Sequence, residues 1–199
     1  MRVLLTGGSG FLGSHVADAL SNRGHEVIIL DTHPSPFLRD NQTFVQGSIL
    51  EADVVDRAIE GCEVVYHLAA ISDIDAARLV PVETIRVNVL GTALLLEASR
   101  NADINRFIYA SSVYVYSDFG SFYRTSKQAS ELLIEDYWES YALPFTILRF
   151  GSLYGPRGDD RNGVYRMLKQ AIEKQHIIYP GSGEELREYI HVFDAAEAA

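Results

Sequence analysis

Short continuous apolar runs along the chain predict strands, and segments with apolar residues at helical spacing predict helices. The predicted strands cover residues 2–6, 26–31, 43–46, 63–68, 105–111, 145–150 and 189–192, and the predicted helices cover 11–23, 52–60, 82–100, 123–142 and 162–174. Because the strand runs are continuous, both faces of the sheet must be covered, as in a parallel sheet between helix layers. Right-handed crossovers then give an α/β fold with a doubly wound, Rossmann-type parallel sheet.

The sequence ends in the middle of a predicted element. Asp194 is suited to the N-cap of a helix, but residues 195–199 add only about one turn. One turn is too short for a stable helix. We therefore expect the chain to be truncated within a small C-terminal region.

Charge and composition narrow the possible functions. The 27 Asp and Glu residues outnumber the 17 Lys and Arg residues, for a net charge of −10, whereas nucleic-acid binding requires a basic surface. No apolar run approaches the roughly 20 residues of a membrane span, and the first apolar run is too short for a signal peptide. Cys62 is the only cysteine, and the histidines lack ligand spacing, so we expect no metal site. These features predict a cytoplasmic protein.

A glycine-rich turn connects the first predicted strand to the first helix. Gly7 allows the tight turn, Gly10 lets backbone approach a pyrophosphate, and Gly13 allows close packing of helix and strand. Asp31 ends the next strand, where a carboxylate binds ribose hydroxyls and favours NAD over NADP. The alternatives are a plain glycine-rich turn and an acid that caps a loop. The complete unit favours dinucleotide binding.

A tyrosine and a lysine four residues apart share one face of a predicted helix. An ammonium group at Lys127 would favour the phenolate of Tyr123 and lower its pKa, so that it could take a proton from a sugar hydroxyl. Ser111 and Ser112 end the preceding strand, at the edge where open α/β sheets bind ligands. The alternative is that the pair is surface decoration.

Taken together, the motifs resemble those of the extended short-chain dehydrogenase/reductase family, in its NAD-dependent nucleotide-sugar epimerase/dehydratase branch. They run in the family's order over nearly the whole chain. The matching segments are residues 6–13, Asp31, 65–70, 88–92, 111–116, the Tyr123 and Lys127 pair, 153–157 and 187–192.

The resemblance implies roles for individual residues. Tyr123 would be the catalytic base, Lys127 would hold the nicotinamide ribose, and Ser112 would bond the substrate oxygen. Ser152 and Arg187 lie where relatives contact the substrate's diphosphate. The implied cofactor-binding residues are Gly7, Gly10, Phe11, Leu12, Gly13, Asp31, Leu68, Ala69, Ala70 and Lys127.

The sequence also departs from the family's pattern. Val113 and Tyr114 stand where 4,6-dehydratases carry Asp-Glu, so we do not expect water elimination. Ser152 replaces an asparagine that many relatives have, and Gly47 is followed by Ser48 where an aspartate often lies near the adenine. The loop between Ser112 and Tyr123 is also shorter than is usual in the family, so we expect the rim of the substrate pocket to be trimmed.

The resemblance implies a NAD-dependent nucleotide-sugar 4-epimerase that works through a transient keto sugar. The alternatives are a NAD-dependent dehydrogenase or reductase of a small carbonyl or sugar, and a non-catalytic dinucleotide-binding module. Residues 1–150 would form the NAD-binding domain and 151–199 the incomplete start of the substrate-binding region. Helices 82–100 and 123–142 carry more than one apolar stripe, which favours a homodimer, unless missing C-terminal sequence covers them.

Overall fold

The computed structural model describes residues 1–179, 181–184 and 186–199. The strands are β1 (Arg2–Thr6), β2 (Glu26–Asp31), β3 (Gln42–Gln46), β4 (Val64–His67), β5 (Arg106–Ser112), β6 (Phe145–Phe150), β7 (Ser152–Tyr154) and β8 (Tyr189–His191). The helices are α1 (Phe11–Asn22), α2 (Ala52–Ile59), α3 (Ile74–Leu79), α4 (Pro81–Ile85), α5 (Gly91–Asn101), α6 (Ser121–Tyr141), α7 (Gly163–Lys174) and α8 (Val192–Ala198). A π-helical segment covers Arg86–Leu90, and a 3₁₀ turn covers Val113–Tyr116.

Six strands form one parallel sheet in the order β3-β2-β1-β4-β5-β6. Alternate side chains of β1 enter opposite layers: Leu4 packs in the cluster with α2, α5 and α6, whereas Val3 and Leu5 pack in the cluster with α1. The predicted doubly wound, Rossmann-type fold is confirmed. It places the carboxyl ends of the central strands at one edge, where ligands of such sheets bind.

The predicted helix over residues 82–100 is wrong as a single α-helix. The structure divides it into α4, the π-helical segment Arg86–Leu90 and α5. Asn88 is buried within the π-helical segment, and its side chain hydrogen-bonds both backbone groups of Ile71. Such π-helical insertions re-aim side chains and are frequent at functional sites.

The C-terminal segment forms a helix despite its short length. Val192, Ala195 and Ala196 are buried in α8, which packs against α1. Tertiary packing therefore supplies the stability that a helix of this length lacks by itself. Nearby, β7 and β8 pair in parallel as a separate sheet of two strands.

Among residues 1–179, 181–184 and 186–199, none of the helices has the length and apolar character that crossing a membrane requires.

Gly13 is the tightest glycine position of the first crossover. A Cβ atom at residue 13 would lie 2.1 Å from the carbonyl oxygen of Gly7. We expect Gly13→Ala to lower the free energy of unfolding by about 1–3 kcal/mol, because backbone must shift to relieve the overlap. Urea denaturation measures this change.

Gly163→Ala is the matched control, since a Cβ atom there would meet nothing within 4 Å. We expect it to change the free energy of unfolding by less than about 1 kcal/mol. Equal stability of Gly13→Ala and Gly163→Ala would contradict the close-packing role of Gly13.

Candidate functional site

A large cleft opens at the carboxyl ends of the parallel strands, with a volume of about 1490 Å³. The structure brings every residue predicted for the site to its wall, although these residues come from distant parts of the sequence. They are Gly7, Gly10, Phe11, Leu12, Gly13, Asp31, Leu68, Ala69, Ala70, Ser112, Tyr123, Lys127, Ser152 and Arg187.

The glycine-rich turn approaches the end of β4 so closely that a side chain cannot fit. Gly7 has φ +74°, and a Cβ atom there would lie 2.6 Å from the backbone nitrogen of Ala69. The backbone N–H of Gly10 donates to the carbonyl oxygen of Gly7 at 3.1 Å, which closes the turn. The turn therefore presents backbone, not side chains, at the start of α1, as phosphate binding requires.

Asp31 lies beside this turn at the end of β2. One carboxylate oxygen accepts a hydrogen bond from the backbone N–H of Ser9 at 3.0 Å. The other accepts from the backbone N–H of His33 at 3.3 Å. The side chain thus caps local backbone and, at the same time, faces the cleft, so the two interpretations offered by the sequence are compatible.

Tyr123 enters the cleft from the first turns of α6 and is only 9% exposed. Burial raises the pKa of Tyr123 to about 12, although a hydrogen bond with the Ser112 side chain acts in the opposite direction. The sequence had predicted a lowered pKa, and in this structure that direction is wrong. Desolvation of the phenolate outweighs the stabilising contact.

Lys127 lies one turn further along α6 and is 3% exposed. Its ammonium group donates to the carbonyl oxygen of Ala110 at 2.7 Å and lies 5.8 Å from the centre of the Tyr123 ring. Burial lowers the pKa of Lys127 to about 7, while the charge of Glu131 raises it. The ammonium is therefore held in the cleft wall by a backbone acceptor.

The two serines at the end of β5 have different partners, since neighbouring side chains of a strand point to opposite faces. Ser112 contacts Tyr123 and accepts a hydrogen bond from the backbone N–H of Tyr114 at 3.3 Å. Ser111 instead donates its hydroxyl to Glu131. This arrangement is consistent with the choice of Ser112 as the serine beside the tyrosine.

Sequence reasoning missed Tyr114 as a part of the cleft wall. Its phenol oxygen accepts a hydrogen bond from Arg187 at 3.0 Å, although the two residues are far apart in the sequence. No local motif signals this contact, because only the tertiary structure brings β8 near the 3₁₀ turn. Tyr114 and Arg187 both line the cleft.

Asn88 was assigned no role at the sequence level, although it belongs to a matching segment. Its side-chain amide donates to the Ser126 hydroxyl at 2.9 Å, and its backbone oxygen accepts from Ser130 at 2.9 Å. It therefore fixes α6, which carries Tyr123 and Lys127, to the loop after β4.

His67 ends β4 inside this same polar region, is buried, and is not among the residues that line the cleft. Its two ring nitrogens hydrogen-bond the hydroxyls of Thr6 at 2.8 Å and Thr92 at 2.9 Å. Burial lowers the pKa of His67 to about 3, so the ring is neutral at physiological pH. His67 is therefore a hydrogen-bonded residue of the core.

Comparison with known proteins identifies the family. Residues 3–199 match the model of the NAD dependent epimerase/dehydratase family. The chain belongs to this family. The resemblance predicted from the motifs is therefore confirmed, and the family's cofactor is NAD.

Similar proteins include both epimerases and dehydratases. The low-salt glycan biosynthesis protein Agl12 of Haloferax volcanii is 31% identical, over 100% of this chain and 71% of its own length. The UDP-glucose 4-epimerase of Thermotoga maritima, solved with UDP-glucose, has a TM-score of 0.92 at 29% identity, covering 100% of this chain and 72% of that one. DesIV, a dTDP-glucose 4,6-dehydratase of Streptomyces venezuelae solved with NAD, has a TM-score of 0.91 at 27% identity, covering 98% and 70%. These relatives support an enzyme of this family without separating the two reactions.

Proposed function

We propose that the protein is a NAD-dependent nucleotide-sugar 4-epimerase that acts through a transient keto sugar. The observation that supports this most strongly is the contact between Tyr123 and Ser112 beside Lys127, in the same cleft as the glycine turn and Asp31. A base and a nucleotide site in one cleft suit oxidation and re-reduction of one sugar carbon.

The residues present fit the adenine dinucleotide. Asp31 would accept hydrogen bonds from the ribose hydroxyls, and the backbone of residues 7–13 would hold the pyrophosphate at the start of α1. Leu68, Ala69 and Ala70 would line the path toward the nicotinamide, and Phe11 and Leu12 would cover the turn. Because no Cβ atom fits at Gly7 or Gly13, the turn offers backbone groups to the pyrophosphate there. When bound, NAD supplies a hydride acceptor and donor.

The protein's own side chains would carry out the proton transfer. Tyr123 would take the proton of the sugar hydroxyl, and Ser112 would bond the same oxygen. With a pKa of about 12, Tyr123 needs positive charge against its phenol to act near neutral pH. Lys127, which would also hold the nicotinamide ribose, is the cation on the same helix face.

The substrate would enter from the side of the cleft formed by residues 151–199. Ser152 on β7 and Arg187 before β8 would contact the diphosphate of the nucleotide sugar, and we assign this segment to the substrate-binding region. The guanidinium of Arg187 already lies beside Tyr114 in the cleft. Guanidinium groups suit phosphate recognition because of their fixed fork of donors.

Water elimination is not part of this proposal. The 3₁₀ turn after Ser112 carries Val113 and Tyr114, an apolar side chain and a phenol, where the motif resemblance would place the Asp-Glu pair of 4,6-dehydratases. A dehydratase needs a second proton donor there to expel a hydroxyl group.

The deciding experiment is incubation of the purified protein with NAD and a panel of UDP- and dTDP-sugars. We expect a 4-epimer as the product, with no net increase in absorbance from NADH. Stoichiometric NADH would indicate a dehydrogenase, and a 4-keto-6-deoxy sugar would indicate a dehydratase. Cofactor binding without any turnover would indicate a binding module, and each of these three results would contradict the proposal.

Tyr123→Phe tests the proton step. We expect turnover to fall by about 10²–10⁴-fold because the base is removed, while NAD affinity stays within about a few-fold. Steady-state kinetics and calorimetric titration measure the two quantities. Tyr165→Phe is the control and should leave both unchanged, because Tyr165 is an exposed residue of α7 that is not among the residues lining the cleft. Activity of Tyr123→Phe equal to that of the unaltered protein would refute the role.

Asp31→Ala tests the ribose contact. We expect NAD affinity to fall by about 10–100-fold, because hydrogen bonds to a charged acceptor are lost, and the preference against NADP to relax. Competition binding of the two cofactors measures this preference. Asp56→Ala, at an exposed position of α2, is the control. An unchanged preference in Asp31→Ala would rule out the assignment.

We also propose a homodimer through residues 82–100 and 123–142. The exposed apolar side chains there include Val82 at 81%, Leu90 at 48%, Leu132 at 62% and Trp138 at 49%. Sedimentation should give twice the chain mass, and Leu132→Glu should dissociate the dimer, because a buried charge has no partner there. Ile172→Glu, at an exposed position of α7, is the control and should not dissociate the dimer. A monomeric unaltered protein would contradict the proposal.

We place the activity in the cytoplasm. Cys62 is buried as a free thiol, which fits a reducing compartment.

A further inference from the structure

Glu131 is a buried carboxylate that the proposed reaction does not use. It lies one helical turn after Lys127 on α6, and its side chain is only 10% exposed. Buried carboxylates are costly unless cations and hydrogen-bond donors surround them. A buried charge one turn from Lys127 on the same helix therefore calls for an explanation.

Three donors hold the Glu131 carboxylate in place. The Nε of Arg149 donates to one oxygen at 3.0 Å, and the Nη2 of Arg149 donates to the other at 2.7 Å. The Ser111 hydroxyl donates to the first oxygen as well. Each oxygen has a partner, and bidentate pairing with arginine fixes the orientation of the carboxylate.

The same arginine extends the network to the turn that follows Ser112. Arg149 donates to the phenol oxygen of Tyr116, and its guanidinium lies 5.0 Å from the centre of the Tyr116 ring. The carboxylate of Glu131 thus connects α6, β5, β6 and the 3₁₀ turn.

The groups that face Lys127 from its other neighbours are neutral. On β4, burial lowers the pKa of His67 to about 3, which leaves the imidazole uncharged. On β5, the Tyr109 ring lies 4.5 Å from the ammonium, and burial raises the pKa of its phenol above the usual range. On α6, burial raises the pKa of Tyr123 to about 12. Among the groups that the structure describes around Lys127, Glu131 is the source of negative charge.

We propose that Glu131 is a positioning residue for the Tyr123 and Lys127 pair: its fixed carboxylate is the counter-charge that favours the protonated form of the buried Lys127 side chain. This inference rests on the proposed function for its catalytic meaning, but the charge on Lys127 can be measured without it.

The electrostatic balance at Lys127 supports this role. Burial lowers its pKa to about 7, and the Glu131 charge is the opposing influence. At neutral pH Lys127 is therefore near the midpoint of its titration. A further decrease of its pKa would leave a neutral amine. A neutral amine cannot stabilise the phenolate of Tyr123.

The test is a ¹³C NMR titration of protein labelled at the lysine ε-carbon. The lysines of the chain are Lys127, Lys169 and Lys174, so the buried one is easily distinguished from the two on α7. We expect Glu131→Gln to lower the midpoint of Lys127 by about one pH unit or more, and to leave the other two unchanged. Glu139→Gln, at an exposed position of α6, is the control and should shift none of them.

Arg149→Gln separates charge from packing. It breaks the same bidentate contact and the link to Tyr116 but keeps the carboxylate of Glu131. A purely structural role for Glu131 predicts the same Lys127 midpoint in Glu131→Gln and Arg149→Gln. The charge role predicts a lowered midpoint only in Glu131→Gln.

Kinetics supply a second measurement. In Glu131→Gln we expect the alkaline limb of the kcat profile to move to lower pH with the Lys127 midpoint, while KM stays within about two-fold, because the substrate contacts lie elsewhere. If the unaltered protein has no activity, the proposed function fails and the NMR result still stands.

An unshifted Lys127 midpoint in folded Glu131→Gln would overturn the inference. If that variant does not fold because Arg149 loses its partner, the double variant Glu131→Gln/Arg149→Gln removes both charges of the pair, which buried sites tolerate better. Its Lys127 midpoint should lie below that of Arg149→Gln, because these two proteins differ only in the charge at residue 131, and equal midpoints would overturn the inference.

Discussion

The buried polar face of α6 is the constraint on which the site depends. Ser126, Lys127, Ser130 and Glu131 are all buried against the sheet and the π-helical segment. Each makes a hydrogen bond, to Asn88, Ala110 or Arg149 among others. Because an unpaired buried polar group is costly, these bonds fix the rotation of the helix about its axis. The same rotation directs Tyr123 into the cleft.

A second constraint acts on the opposite wall of the cleft. The turn after β1 approaches the end of β4 with no room for a side chain at Gly7 or Gly13. Parallel pairing of β1 with β4, and of β4 with β5, then sets the distance from this turn to Ser112. The pairing of the strands thus positions the phosphate-binding turn and the proton-transfer group in one cleft.

Burial has the largest influence on the pKa values of the two titratable side chains Tyr123 and Lys127 in the cleft. Lys127 loses much of its basicity, and Tyr123 becomes a weaker acid, because both side chains are largely buried. The pair therefore responds strongly to any further charge nearby. This sensitivity gives the Glu131 carboxylate, and any charged ligand in the cleft, more influence than a surface charge would have.

The sequence by itself determined the parallel strands, the glycine turn with Asp31, the helix that bears Tyr123 and Lys127, and the family. These features are local: apolar runs, fixed spacings and turn residues report on their own neighbourhood. Tertiary structure alone decided the break in the helix at Arg86–Leu90, the stability of α8, the contact of Tyr114 with Arg187 and the raised pKa of Tyr123. Each of these depends on burial by residues distant in the sequence, and burial sets both the cost of an unpaired polar group and the energy of a charge.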